Sequence, residues 1–193
     1  DAIDKAAKLL SDAKFPVILS GAGVVIGDAI SECKSLAEKL DAPVCNGYQH
    51  NDSFPGSHPL AVGPLGYNGS KAAMQLISKA DVVLALGTRL NPFSTLPGYG
   101  IDYWPKDATI IQVDMNPDRI GLTKKVTVGI AGDAKQVALQ ILEKLSSNAG
   151  DNGREERKNL IHQTKSAWLQ TLTSLDHEED DPGTVWNKEA RER

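Results

Sequence analysis

Apolar positions along residues 1–145 switch repeatedly between helical and extended spacing. Ile3, Ala6, Ala7 and Leu10 share one helical face, and Pro16 closes that pattern. Pro16–Ser20 is a short apolar run stopped by Gly21, the signature of a buried strand. Ile30, Cys33, Ala37 and Leu40 recur at helical spacing, with Asp28 as the expected N-cap. Pro43–Cys45 predicts a second strand, and residues 46–69, rich in Gly, Pro, Asn and His, predict an irregular connection. Ser70 is placed to cap a helix carrying Ala73, Leu76, Ile77 and Ala80. Asp81–Leu86 is apolar after its first residue and ends at Gly87, the clearest strand of the chain. After a long loop over 87–107 come an extended run at Thr109–Val113, a turn at Asp114–Pro117 and a predicted strand at Lys125–Val128. Ala134, Val137, Ala138, Ile141 and Leu145 mark a closing amphipathic helix.

Strands that are apolar on both faces and separated by helix-length crossovers need cover on both sides. The expected fold is α/β: a doubly wound, Rossmann-like parallel sheet of five to six strands flanked by helices. Residues 1–147 form that domain. Residues 148–193 differ in kind and read as a C-terminal helical linker. Ser146–Gly153 is polar and flexible in composition, and Ile161, Thr164, Trp168, Leu172 and Leu175 then share a further helical face. His177–Asp181 is an acidic run whose bland reading is a solvated surface segment. Trp168 and Trp186 need a surface to bury against, either this domain or a neighbour.

Composition narrows the function classes. With a net charge of −4, the chain lacks the basic excess expected of a nucleic-acid binder. No apolar run approaches the roughly 18–20 residues of a membrane span, and no signal-peptide pattern opens the chain. Two cysteines, Cys33 and Cys45, are too few for a disulfide framework, which makes a reducing cytoplasm the expected compartment. The chain opens at Asp1 within a helical pattern and stops at Arg193 in a charged stretch, so a piece of a longer protein is expected.

In open α/β sheets ligands gather beyond the carboxyl ends of the strands. The turns expected there carry Gly21 and Gly23, Asn46 and Gly47, Gly87 with Arg89, Asp114 with Asn116, and Gly132 with Asp133. The spacing Gly21-x-Gly23-x-x-x-Gly27 departs from the dinucleotide fingerprint. Two roles stay open for it: close packing of a helix over the sheet, or approach of a phosphate. Asp114 is placed to accept from a ribose hydroxyl, and Asp133 is placed equally well as an N-cap. Arg89 pairs either with a phosphate or with Asp114 or Asp118. The histidines show no metallohydrolase spacing, and His50 and His58 sit in the Gly/Pro-rich connection as surface or capping residues.

Taken in order, Pro16–Gly23, Asp41–Val44, Phe54–Pro59, Gly63–Gly69, Ala80–Arg89, Ile111–Asp114 and Gly132–Asp133 resemble the central domain of thiamine-diphosphate-dependent enzymes. Within them, Asn91–Pro105 and Asp114–Gly121 are similar to the acetyltransferases that act on sulfoacetaldehyde. The resemblance implies conversion of sulfoacetaldehyde and phosphate to acetyl phosphate and sulfite, a step of taurine and sulfonate breakdown, with the cofactor as electron sink. It also implies that thiamine diphosphate and Mg²⁺ are held by flanking domains of the same chain. One supplies a glutamate and the other a G-D-G…N motif, and Gly132-Asp133-Ala134 is not G-D-G. The fragment alone is therefore expected to be inactive, and a homodimer or homotetramer is expected of the intact enzyme.

Two further expectations come from that resemblance. The loop holding Phe93 and Ser94 corresponds to a substrate-proximal loop in relatives; the Ser94 hydroxyl either meets a sulfonate or phosphate or only packs. Relatives that bind FAD or ADP here use positions matched by Gly21, Gly23, Gly66, Arg89 and Asp114. Asn91–Phe93 stands where flavin-using synthases carry an Asp-Asp-Arg run, which counts against flavin. The alternatives are an acetohydroxyacid-synthase-like carboligase with bound FAD, and a free-standing nucleotide-binding module.

Overall fold

The computed structural model describes residues 1–174, so the acidic run at His177–Asp181, Leu175 and Trp186 lie outside the described residues. The element order is α1 (Ala2–Asp12), β1 (Pro16–Ser20), α2 (Ala22–Ile26), α3 (Ile30–Leu40), β2 (Val44–Asn46), β3 (Ala61–Pro64), α4 (Lys71–Ile77), β4 (Val82–Leu86), α5 (Pro92–Thr95), β5 (Thr109–Asp114), β6 (Val128–Ala131), α6 (Ala134–Lys144) and α7 (Arg154–Ser174). Six strands form one sheet in the order β3-β2-β1-β4-β5-β6, and every pairing is parallel. The chain reverses its winding between β1 and β4, which pair from Pro16 with Val82 to Ser20 with Leu86. This is the expected doubly wound α/β architecture.

β1 and β4 are buried at every position, as their uninterrupted apolar runs require. Helices α1, α3 and α6 pack together in one layer, while α4 packs on β2 and β3 and is itself met by α7. The Asp1 carboxylate caps α1 by accepting from the Ile3 N–H, and Ser70 caps α4 through the Ala73 N–H.

Four sequence expectations change. Asp28 does not cap α3: it adopts φ +50, and its carboxylate is turned to Lys135 Nζ at 2.9 Å, leaving Ala29 as an N-cap without a side-chain bond. The connection over 46–69 contains strand β3, hidden by Gly63 and Pro64; at a sheet edge the missing proline N–H costs no ladder bond. The last strand is Val128–Ala131 rather than Lys125–Val128, because Val128 and Ile130 alternate inward against Ile111 and Val113 of β5. The 87–107 loop contains the short helix α5, started by Asn91 as N-cap and Pro92 in the first turn.

Helix α7 is joined to the sheet domain by two buried side chains, Ile161 in the apolar core and Arg157 through hydrogen bonds. Arg157, 1% exposed, donates to the carbonyl oxygens of Lys14, Leu40, Asp41, Gly150 and Asn152 at 2.5–3.0 Å. Farther along, Trp168 lies against Tyr99, with the Lys71 ammonium over both rings. The domain's own surface thus covers part of Trp168.

Candidate functional site

The turns after β1, β2, β4, β5 and β6 converge on a cavity of ≈ 460 Å³ at the carboxyl end of the sheet. Its wall includes Gly21, Gly23, Arg89, Ser94, Asp114 and Asp133, so most of the expected site residues meet there. Gly66 and Phe93 do not join that wall. Gly66 sits at φ +111 beneath the 93–94 backbone, where a Cβ would strike the Phe93 carbonyl oxygen. The Phe93 ring stacks on Tyr48, a wall residue, with centroids 5.5 Å apart, and is 59% exposed.

The glycine turn is engaged with the turn after β4. Gly21 N–H donates to Leu86 O at 3.1 Å and Gly23 N–H to Gly87 O at 2.8 Å. A Cβ on Gly23 would lie 2.7 Å from Gly87 Cα, and one on Gly21 would lie 2.6 Å from Thr88 Cβ. Close packing therefore accounts for both glycines, and their amides already have acceptors. α2, five residues long, starts directly from this turn.

The cavity's two carboxylates are engaged by main-chain amides, whereas its arginines carry no ion pair among the described residues. Asp133 Oδ1 accepts from the Lys135 and Gln136 N–H groups as the N-cap of α6, and Asp114 Oδ1 accepts from Asn116 N–H at 2.8 Å. Arg89 bridges neither Asp114 nor Asp118: among the described residues its guanidinium has no ion pair. Ser94, 1% exposed, accepts the Tyr48 N–H on Oγ at 2.8 Å, while its carbonyl accepts from Tyr103 OH at 3.0 Å. The hydroxyl thus pins α5 to the turn that follows β2.

Three contributors lie outside the sequence expectations. Arg119 adds a second guanidinium, and Gln49 and His50 form part of the wall from the turn after β2. Behind them Gln112, 1% exposed within β5, donates from Nε2 to both Thr88 O and Arg119 O at 3.2 Å, and its Oε1 accepts the Gly121 N–H. A lone amide inside an otherwise apolar strand was the available signal for this lock, since a buried amide requires partners. His58 is not part of this wall; its Nδ1 accepts from Leu60 N–H and its Nε2 lies 3.2 Å from Glu38.

Comparison with known proteins places this geometry. The chain is 80% identical over 192 residues to a probable sulfoacetaldehyde acetyltransferase of Rhizobium meliloti, covering all of this chain and 32% of the relative. It is 75% identical over 191 residues to the sulfoacetaldehyde acetyltransferase of Roseovarius nubinhibens, again covering 99% of this chain and 32% of the relative. It thus spans about a third of the length of these relatives. An X-ray structure from Mycobacterium smegmatis, of a chain assigned to the thiamin diphosphate-dependent enzymes, superposes with a TM-score of 0.62 at 26% identity, over 75% of this chain and 27% of that one. The family description "Thiamine pyrophosphate enzyme, central domain" matches residues 3–144. Fold, sheet order and sequence agree that the chain belongs to the thiamine pyrophosphate enzymes, as their central domain.

Proposed function

We propose that this chain is the central domain of an acetyltransferase that converts sulfoacetaldehyde and phosphate into acetyl phosphate and sulfite. The observation that carries the reading is the high identity, along the whole chain, to relatives bearing that name. Residues 1–147 form the domain proper, and 148–193 lead toward the rest of the full-length protein, with α7 as the connecting helix. A homodimer or homotetramer in the cytoplasm is the proposed working form; two free, buried thiols accord with a reducing compartment.

The residues in hand do not fit thiamine diphosphate with Mg²⁺. Among the described residues no three His, Cys, Asp or Glu side chains gather to hold a metal ion, and the cavity's two acids each accept main-chain amides. We therefore place cofactor and metal on other parts of the full-length protein. The role of this chain is to hold those parts in place and to present the loops around Phe93 and Ser94 toward them.

The test is the full-length protein supplied with thiamine diphosphate, Mg²⁺, phosphate and sulfoacetaldehyde. Sulfite release that depends on phosphate supports the reading. Acetolactate from pyruvate, with no sulfite from sulfoacetaldehyde, would replace it with the carboligase alternative.

A nucleotide in the cavity is a second reading, favoured by the meeting of Arg89 and Asp114 in one wall. The engaged amides of Gly21 and Gly23 weigh against a phosphate cradled on that turn. Saturable heat on titration with ADP or FAD, and yellow colour in the purified protein for flavin, would establish it.

A further inference from the structure

A cavity of ≈ 790 Å³ lies between α7, α4 and the sheet edge at β3, and shares no residue with the one at the strand ends. Leu60, Val62, Ala72, Ile161, Leu169 and Leu172 give it an apolar wall. Into this wall α7 brings Lys165, half-buried, whose Nζ donates to Pro59 O at 2.6 Å and lies 3.4 Å from His58 O.

The two carboxylates of the same wall are turned to other partners. Glu38 Oε1 lies 3.2 Å from His58 Nε2 and 3.7 Å from Lys34 Nζ. Asp41 Oδ2 lies 2.6 Å from Arg154 Nε and 3.8 Å from Lys158 Nζ. Lys165 therefore meets main-chain carbonyls and, among the described residues, no carboxylate, whereas Lys8, Lys106 and Lys144 each hold one. Removal from water, with no opposite charge to offset it, holds the Lys165 ammonium below the ordinary lysine range.

A neutral amide suits this position better than an ammonium. Acetylation removes the charge whose burial is costly, and the amide that forms keeps one N–H for Pro59 O. The added methyl group meets the apolar wall, and the cavity leaves room for a small acyl donor to enter.

We propose that Lys165 is an acylation site: its ε-amine, in the groove between α7 and β3, takes an acetyl group from acetyl phosphate. The amine lone pair attacks the acetyl carbonyl carbon, and the bond from that carbon to the phosphate oxygen breaks. Inorganic phosphate leaves with the electron pair, and the amine proton passes to solvent, so no oxidant or reductant takes part. The step needs only the acyl phosphate; that the protein makes this reagent itself rests on the acetyltransferase reading.

The test is incubation of the full-length protein with added acetyl phosphate at pH 8, without sulfoacetaldehyde, followed by peptide mass spectrometry. Lys165 should acetylate about threefold or more faster than exposed Lys79 and Lys125, because a larger share of its amine is unprotonated. Its rate should also level off at a lower pH than theirs. Leu169→Glu places a carboxylate one turn along α7 from Lys165, at an exposed position, and should slow Lys165 about twofold or more while Lys79 keeps its rate. Thermal unfolding checks that variant, and the native protein's rates and pH profile decide the proposal even if it fails to fold. A Lys165 rate no greater than those of Lys79 and Lys125, a shared pH profile, or an unchanged rate in folded Leu169→Glu would each overturn the proposal. Because the reagent is added, a protein that releases no sulfite from sulfoacetaldehyde fails the acetyltransferase reading and still decides this one.

Discussion

Gly23 and Gly87 touch backbone to backbone: the Gly23 N–H donates to Gly87 O at 2.8 Å, and a Cβ on Gly23 would lie 2.7 Å from Gly87 Cα. This contact joins the turns after β1 and β4, the point where the sheet changes its direction of winding. Gly23→Ala should destabilise the domain by about 1–3 kcal/mol, read as a lower urea midpoint at unchanged m-value. Gly56→Ala is the control, since a Cβ there meets nothing within 4 Å and should leave stability within about 1 kcal/mol of the native value. Equal effects at the two positions would show that the close approach carries no weight.

Arg157 fastens α7 to the ends of α1 and α3 through carbonyl oxygens. Arg157→Met keeps the apolar stem and leaves buried carbonyls without donors, at a cost of about 3 kcal/mol or more. Arg157→Lys should restore less than half of that, because a lysine has three donors and no planar fork. Hydrogen exchange should show α7 losing protection before β1 and β4; uniform loss across the chain would mean that Arg157 supports the core rather than the helix.

Burial pushes the Cys33 thiol up to about 12 from an ordinary value of 9.0, and the fully buried Cys45 thiol is raised as well. Neither thiol should react with a disulfide reagent at pH 8 in the folded protein, and both should react after unfolding. Between pH 9 and 12 the unfolded chain releases thiol protons that the folded chain retains, so stability falls as pH rises. The expected slope is about 1.4 kcal/mol per pH unit for each thiol that titrates. A stability curve flat from pH 8 to 10, or rapid labelling of the folded protein, would contradict the burial.

The sheet was legible because its central strands are apolar on both faces: Pro16–Ser20 and Val82–Leu86 need no context to be read as buried. The edges were harder. β3 carries Gly63 and Pro64, residues that ordinarily mark loops, and β6 buries only alternate positions. The site was legible as a set of turns, since parallel topology dictates where Arg89 and Asp114 must emerge. It was not legible as a set of bonds. That Gly21 and Gly23 donate their amides to the end of β4 and the turn after it, and that Gln112 holds Arg119 beside Thr88, depends on which loops the tertiary fold brings into contact.

The proposed function has this domain serve phosphate-dependent acetyl transfer only as part of the full-length protein. Phosphorus-31 NMR tests it directly, with the full-length protein and the 193-residue chain run in parallel on phosphate and sulfoacetaldehyde, each with thiamine diphosphate and Mg²⁺. The expected result is conversion of inorganic phosphate to acetyl phosphate by the full-length protein, matched mole for mole by sulfite, and no conversion by the 193-residue chain. Acetyl phosphate formed by the isolated chain, or none formed by the full-length protein, would contradict it.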